Sequence, residues 1–326
     1  MHVLVITNLR SLPADCCITG MSEKEMIFSG RIPLACGELF QLKKGGILLK
    51  LYISLDMEGI AGTFNWKQED TDRSVIRKWM TQQVEWIVEG IKQSPVNLQV
   101  TEMVLADSHS QGDSLFYDIT ALDDRLHLIS GSPRPEYMLA GLDASYDMVF
   151  FVGYHSGIGT RDGVMDHSYT SNFHKIWLND LPVSETLINA AYAGYLGVPV
   201  GLIIGDEALR RELDVAGVIP WARYVTTKTG LARYSAKQRP MRLIRQETIA
   251  AVGEVLTSDY TKLPPFTFTV PTKLTIEFHT TDMADVAVLV PGVNRLDGRT
   301  IAFEHEDYRV IFNVISVMSI LAASVK

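Results

Sequence analysis

Short apolar segments of strand length recur along the chain from residue 48 onward, and longer amphipathic segments separate them. The first apolar segment covers residues 48–55, helical periodicity follows over residues 70–91, and further apolar segments occupy residues 99–106 and 148–153. Apolar runs alternating with helices are typical of parallel strands that are buried on both faces of a sheet. The pattern therefore predicts an α/β fold: a three-layer arrangement around a sheet of mostly parallel strands.

The same alternation continues through the middle of the chain. Strands are predicted at residues 175–178 and 198–204, and helices at residues 185–196, 206–216 and 239–256. Gly197 lies between the first of these helices and the strand that follows, at a position where glycine commonly ends a helix. We therefore expect a metal-binding α/β catalytic domain over residues 49–263.

The C-terminal part has a different pattern. After Pro264 and Pro265, alternating polar and apolar residues over 266–278 predict a half-exposed strand of an antiparallel sheet. The apolar segment at residues 310–325 is shorter than the roughly 20 residues that a membrane span requires. Its polar positions form a narrow stripe, which favours a helix buried in the protein or at a subunit contact. We expect a smaller α+β subdomain over residues 264–326, packed on the catalytic domain.

Residues 1–48 lack any sustained strand or helix pattern, and they contain all three cysteines, Cys16, Cys17 and Cys36. No signal peptide is recognisable in them, because the apolar core is too short and no Lys or Arg precedes it. The Lys-Lys-Gly-Gly at residues 43–46 requires purine-rich codons that resemble a bacterial ribosome-binding site. We expect either a start placed too far upstream, with Leu49 as the true initiator, or a disordered extension.

The charge balance excludes one class of partner. Thirty Lys and Arg against 38 Asp and Glu give a formal net charge of −8. Neutralising nucleic-acid phosphates requires a surplus of basic residues, so nucleic acid is not an expected partner. Without a signal peptide or a membrane span, the sequence favours a cytoplasmic location.

Two carboxylates follow the first predicted strand. Asp56 and Glu58 are two residues apart, so an extended backbone directs both to the same face. Adjacent carboxylates repel each other unless they are protonated, solvated or bound to a cation. Ligands of α/β sheets bind at the carboxyl ends of strands, where this pair lies. A metal site is one interpretation, and capping of the next helix is the other.

Histidines follow the next two apolar strands: His109 comes after residues 99–106, and His155 after residues 148–153. If these strands are parallel neighbours of the first, both histidines converge with Asp56 and Glu58 at one edge of the sheet. Imidazole and carboxylate ligands without cysteine are typical of hydrolytic Zn²⁺, Mn²⁺ or Co²⁺ sites.

Four further residues are open candidates. His167 lies on a glycine-containing loop and is a possible acid, base or ligand. Glu185 opens a predicted helix, where a ligand role and a favourable interaction with the helix dipole are equally supported. Asp206 and Glu207 follow the 198–204 strand and are rival ligands, although both also suit a helix start.

The chain resembles the zinc-dependent D-aminopeptidase (DppA-like) family. The resemblance is carried, in order and spacing, by residues 51–60 (LYISLDMEGI), 106–109 (ADSH), 151–155 (FVGYH), 166–169 (DHSY) and 183–185 (VSE). It continues through residues 190–200 (AAYAGYLGVPV) and covers nearly everything from Leu49 onward. Residues 1–48 have no counterpart in that family.

The resemblance implies a site with two zinc ions per subunit, with Mn²⁺ or Co²⁺ as alternatives. Its ligands would be Asp56, Glu58, His109, His155 and Glu185, with Asp56 shared between the two ions. His167 takes the position of the family's catalytic histidine, and we favour a role as general base or acid over one as nucleophile. Ser184 and Asp180 stand where glycine is common in the family, and we expect both to reshape the substrate pocket.

The function implied by the resemblance is removal of N-terminal residues, D-amino acids such as D-Ala, from short peptides. It also implies a ring-like homo-oligomer. One alternative is an amidase or phosphoesterase that uses the same two-metal site. Another is a peptide-binding protein that has lost catalysis.

Overall fold

The structure, a computed structural model, describes residues 48–325, which contain two large sheets and a separate two-stranded antiparallel sheet formed by Lys228–Ala232 and Ser235–Gln238. In chain order the strands are β1 (Leu49–Leu55), β2 (Val100–Asp107), β3 (Leu126–Ile129), β4 (Met148–Tyr154), β5 (Phe173–Leu178), β6 (Leu181–Pro182), β7 (Val200–Gly205), β8 (Arg223–Thr226), β9 (Lys228–Ala232), β10 (Ser235–Gln238), β11 (Thr272–Phe278), β12 (Asn294–Arg295) and β13 (Thr300–His305). The helices are α1 (Lys67–Gln93), α2 (Glu185–Tyr195), α3 (Glu207–Ala216), α4 (Met241–Thr257), α5 (Thr281–Ala287) and α6 (Tyr308–Ala323).

The central sheet has the order β3-β2-β1-β4-β7-β8, and all of its paired strands are parallel. Along β1, alternate side chains face opposite layers. Leu51, Ile53 and Leu55 pack in the core that contains α1 and α4, whereas Tyr52 packs in the core that contains α2 and α6. Helices therefore cover both faces, which explains why β1 reads as a continuous apolar segment.

The second sheet is antiparallel, with the order β12-β13-β11-β5-β6. Its strand β5 pairs with β11, so the sheet takes strands from both sides of residue 264. Helix α6 packs against α2 and β13, which places the C-terminal helix on the same face of the central sheet as α2. The domain boundary at residue 264 stays a prediction.

The predicted fold class is confirmed: a layered α/β arrangement with a parallel sheet and a separate antiparallel sheet. Sequence patterns missed β3 and β8 because each has only four residues, too few to show periodicity. The alternating segment at residues 266–278 is a strand only over Thr272–Phe278. The predicted N-terminal extension lies outside the described residues, apart from its last residue. None of the helices within residues 48–325 is long and apolar enough to cross a membrane.

Candidate metal centre

The turn after β1 packs tightly against the end of β4. A Cβ atom at Gly59 would lie 1.9 Å from the Tyr154 carbonyl oxygen, and one at Gly153 would lie 2.1 Å from the Asp56 carbonyl oxygen. Gly153 also has a φ of +73°, a conformation that glycine adopts readily. Only residues without a side chain allow this approach, and it brings the residues after both strands together.

His109 follows β2 and contacts both carboxylates of the β1 turn. Its Nδ1 lies 3.2 Å from Asp56 Oδ1 and 3.2 Å from Glu58 Oε2. Its other nitrogen, Nε2, lies 3.2 Å from Glu69 Oε2 in the first turn of α1. The imidazole is therefore held between carboxylates on its two sides.

His155 follows β4 and completes the cluster from the opposite side. Its Nε2 lies 3.6 Å from Asp56 Oδ2 and 3.5 Å from Glu185 Oε2, while its Nδ1 lies 2.9 Å from the Ser156 carbonyl oxygen. The ring of His167 stacks on that of His155 at a centroid distance of 4.4 Å. The structure thus brings together all six residues that the sequence predicts for the site: Asp56, Glu58, His109, His155, His167 and Glu185.

The buried polar atoms of the cluster fit a bound cation. Asp56 Oδ2, Glu58 Oε2 and His155 Nε2 are buried and have no hydrogen-bond partner among the described residues. Buried polar atoms are almost always satisfied in folded proteins, so three unsatisfied atoms at one point require an explanation. Two groups in the cluster have the spacing of metal ligands: Asp56, Glu58 and His155, and His155, His167 and Glu185.

The pKa values of the cluster also indicate that its carboxylates require positive charge nearby. Burial, together with the charge of Glu58, raises the pKa of Asp56 to about 7. Burial opposes the charged form of His155, but the Glu185 carboxylate outweighs it and raises the pKa of His155 to about 10. His109 is likewise buried, and Glu58 raises its pKa well above the ordinary value. The protons on these histidines supply the positive charge that a bound metal ion would otherwise supply.

The pKa values of the remaining groups of the cluster are lowered. Burial would raise the pKa values of Glu58 and Glu185, but the neighbouring histidines, His109 beside Glu58 and His155 beside Glu185, hold both below the ordinary value. Burial lowers the pKa of His167, and the charge of His155 lowers it further. His167 is therefore the imidazole of the cluster that stays neutral near neutral pH.

Several residues that support the site were not predicted from the sequence. The indole of Trp66 donates a hydrogen bond to Glu58 Oε1 at 2.7 Å, and the backbone N–H of Tyr169 donates to Glu185 Oε1 at 2.6 Å. Glu69 contacts His109 as described above. Trp66 and Glu69 lie within eleven residues of Glu58, at the start of the helix that follows the Asp-x-Glu motif. This closeness in sequence was the signal that could have identified them.

The rival ligands lie apart from the cluster. Asp206 accepts hydrogen bonds from the backbone N–H groups of Leu209 and Val164, at 2.8 and 3.3 Å. It is the N-cap of α3, and Glu207 is the first residue of that helix. Neither belongs to the groups of described residues that have metal-ligand spacing. Their positions at the start of α3 therefore explain both residues, as the alternative interpretation proposed.

A cavity of about 700 Å³ opens beside the cluster. Its lining combines the cluster with the 132–138 loop and one side of α6, including Tyr137, Asn313, Ser316 and Ile320. The predicted polar stripe of the C-terminal helix therefore faces this cavity.

The expected effect of Asp180 on the pocket is wrong. Asp180 lies in the exposed turn between β5 and β6, where its φ of +64° explains a preference for glycine, and it pairs with Lys273. Ser184 is buried next to Glu185, and it is not among the residues lining the cavity either.

The parallel sheet is covered by helices on both faces. Carboxylates and imidazoles lie at the carboxyl ends of its adjacent strands, beside an open cavity. This combination defines a metal-dependent hydrolase. The family model described as D-aminopeptidase matches residues 49–317, and the chain belongs to this family. The predictions of the family and of an aminopeptidase are thus confirmed.

Two comparisons agree with the family. A D-aminopeptidase of Bacillus subtilis (strain 168) is 30% identical over 282 residues, which are 84% of this chain and 98% of that protein. A solved structure, described as a Zn-dependent D-aminopeptidase DppA from Bacillus subtilis and a self-compartmentalizing protease, superposes with a TM-score of 0.77 at 30% identity. It covers 84% of this chain and 98% of the solved chain.

Proposed function

We propose that this protein is a zinc-dependent aminopeptidase that removes N-terminal D-amino acids, such as D-Ala, from short peptides at a two-zinc site. The observation that carries the proposal is the buried cluster of three carboxylates and three imidazoles with unsatisfied ligand atoms beside the cavity. The zinc dependence of the solved relative supports zinc as the metal.

The ligands in this proposal are Asp56, Glu58, His109, His155 and Glu185. Asp56 is suited to a shared position because its Oδ1 faces His109 and its Oδ2 faces His155. Zinc, when bound, supplies Lewis acidity that polarises a scissile carbonyl and lowers the pKa of water. The chain's part is to hold these ligands in a buried position where the charges interact strongly.

His167 is the group that we assign to proton transfer. Its Nδ1 donates to the Met165 carbonyl oxygen at 2.9 Å, which fixes the tautomer and leaves Nε2 free to accept a proton. Nε2 lies 3.5 Å from Glu185 Oε1 and 4.0 Å from Glu58 Oε1, so it faces the cluster. Because its pKa is lowered, the neutral imidazole is available as a general base near neutral pH.

A phosphoesterase is disfavoured by the cavity lining. Arg134 is the one Lys or Arg among the described residues that line the cavity. Its guanidinium donates to the backbone carbonyl oxygens of Tyr137, Gly131, Ser108 and Ser110. These donors are occupied in shaping the cavity, so Arg134 is not free to form a bidentate pair with a phosphate group.

We further propose that the subunits assemble into a ring-like homo-oligomer. Support comes from the solved relative, which is described as self-compartmentalizing. Light scattering coupled to size exclusion would test the assembly, and a monomer at micromolar concentration would contradict it.

The activity is tested by assaying D-Ala and L-Ala p-nitroanilides, the matching dipeptides, and p-nitrophenyl phosphate with added Zn²⁺ and with chelator. We expect chelator-sensitive release from the D-Ala substrates. Metal analysis of the same samples gives the zinc content per subunit. Turnover of only the phosphate ester would refute the proposal, and tight peptide binding without turnover would favour an inactive homologue.

A further inference from the structure

A lysine is fully buried beneath the turn that carries Asp56 and Glu58. Lys228, the first residue of β9, has a relative exposure of 0%. Its Nζ lies 2.9 Å from Ile60 O, 2.7 Å from Thr63 O and 2.6 Å from Thr63 Oγ1, and it also donates to Glu58 O. All of its partners belong to the 58–63 turn, which follows directly from Asp56.

The shell around this ammonium group consists of oxygen acceptors. Three backbone carbonyl oxygens and one hydroxyl oxygen surround Nζ, and such a set of oxygens also suits a monovalent cation. Burial lowers the pKa of Lys228 to about 7, and the carboxylates of Asp206, Glu58 and Asp56 oppose this shift and favour the charged form. An ammonium group has three donors and no acceptor, so its three N–H groups are shared among the four oxygens of this shell.

The rest of the same turn is held by neutral groups from the neighbouring segment. Thr227 Oγ1 donates to Gly59 O at 2.6 Å. Gln238 accepts from the Gly62 N–H and donates to Thr63 O. Lys228 thus supplies the charged contact within a larger set of contacts to the turn, and it takes no part in the proton transfer described above.

We propose that the Lys228 ammonium group acts as a tethered monovalent cation that holds the 58–63 turn in the shape required for metal binding. The inference rests on the proposed metal site, because Glu58 is one of its ligands. Lys228 is not among the residues that line the cavity, and its Nζ contacts the 58–63 turn. It is therefore a positioning residue, acting through the backbone of Glu58.

Two substitutions separate the charge from the space that the side chain fills. Lys228→Ala removes both, whereas Lys228→Met keeps most of the volume and removes the ammonium group. Zinc affinity of both variants and of the wild-type protein is measured by competition with a chromophoric chelator. Thermal unfolding is followed in parallel, so that only folded protein is compared. Gln238→Ala is the matched control, because it removes neutral hydrogen bonds to the same turn.

We expect zinc binding by both Lys228 variants to weaken by about 10-fold to 100-fold, the range typical of residues that support metal ligands. For Lys228→Ala, we expect K⁺ or methylammonium to restore zinc affinity and raise the unfolding temperature, since the vacated space retains the oxygen shell. Tetramethylammonium at equal ionic strength is too large for the shell, so it should restore neither the zinc affinity nor the unfolding temperature. Lys228→Met should respond to none of these cations, because its side chain fills the site. We expect Gln238→Ala to bind zinc like wild type.

Wild-type zinc affinity in either folded Lys228 variant would overturn the inference. So would an affinity loss in Lys228→Ala that K⁺ and methylammonium leave unchanged. Wild-type protein that binds no zinc would instead contradict the proposed function, so the two failures are distinguishable.

Discussion

Replacing His167 with alanine should remove most of the turnover without removing the metal. The side chain approaches the cluster through Nε2, which is 3.5 Å from Glu185 Oε1, while its Nδ1 is committed to Met165 O. The five proposed ligands remain after the substitution. The ring also stacks on His155 and makes an edge contact with Trp66.

The expected loss follows from the assigned role. A positioned general base or acid contributes about 10²–10⁴-fold to the rate. At 1.36 kcal/mol per factor of ten, this is about 3–5 kcal/mol of the activation barrier. Because the pKa of His167 is lowered, wild-type kcat/KM should be constant near neutral pH and fall only on the acidic side, as the imidazole becomes protonated. The variant's residual activity should lack that acidic limb.

The assay measures kcat and KM for D-Ala p-nitroanilide across pH, with zinc content from elemental analysis of the same preparations. His127→Ala is the control, since His127 is an exposed histidine on β3. His167 also belongs to a group with metal-ligand spacing, so the zinc measurement decides between two roles. Loss of zinc from His167→Ala would show that His167 is a ligand, and retained turnover would refute a part in catalysis.

Three substitutions and one titration test the other assignments. Asp56→Asn should lose zinc on dialysis, because a neutral amide replaces the carboxylate that both histidines approach; elemental analysis showing full zinc occupancy would contradict this. Glu69→Gln should weaken zinc binding by about 10-fold to 100-fold in chelator competition, since Glu69 orients His109 through Nε2; an unchanged affinity would exclude that role. Asp206→Ala should lower the free energy of unfolding by about 1 kcal/mol through loss of a helix cap, with zinc content unchanged; loss of zinc would reinstate Asp206 as a ligand. Zinc binding near pH 7 should release about two to three protons, because His109 and His155 are protonated in the metal-free protein and Asp56, with a pKa of about 7, is partly protonated; calorimetry in buffers of different ionisation enthalpy measures the release, and none would contradict the raised pKa values.

The central strands and the residues after them were predictable because their signal is local. A strand buried on both faces is a largely apolar segment; β4 is buried throughout, and β1 and β2 are buried over their last five residues. The polar residues that follow such strands are conspicuous. The short edge strand β3 and the β9–β10 hairpin carry few buried side chains, so their residues show no comparable apolar pattern.

The supporting contacts of the site were not predictable in the same way. Lys228 meets its acceptors across at least 165 positions of sequence, and its burial depends on how β9 packs under the first turn. The wall formed by α6 joins the cavity only because the antiparallel sheet returns the chain to the face that holds α2. The narrow polar stripe on that helix predicted burial or a contact, but not which surface it would face.

The order of the strands explains why Asp56 occupies the centre of the cluster. Strand β1 pairs with β2 on one side and with β4 on the other. Neighbouring strands are about 4.8 Å apart, so residues that follow β2 and β4 flank a residue that follows β1 at side-chain reach. His109 accordingly contacts Asp56 Oδ1 and His155 faces Asp56 Oδ2, one oxygen for each side. The middle strand therefore supplies the carboxylate that both flanking histidines approach.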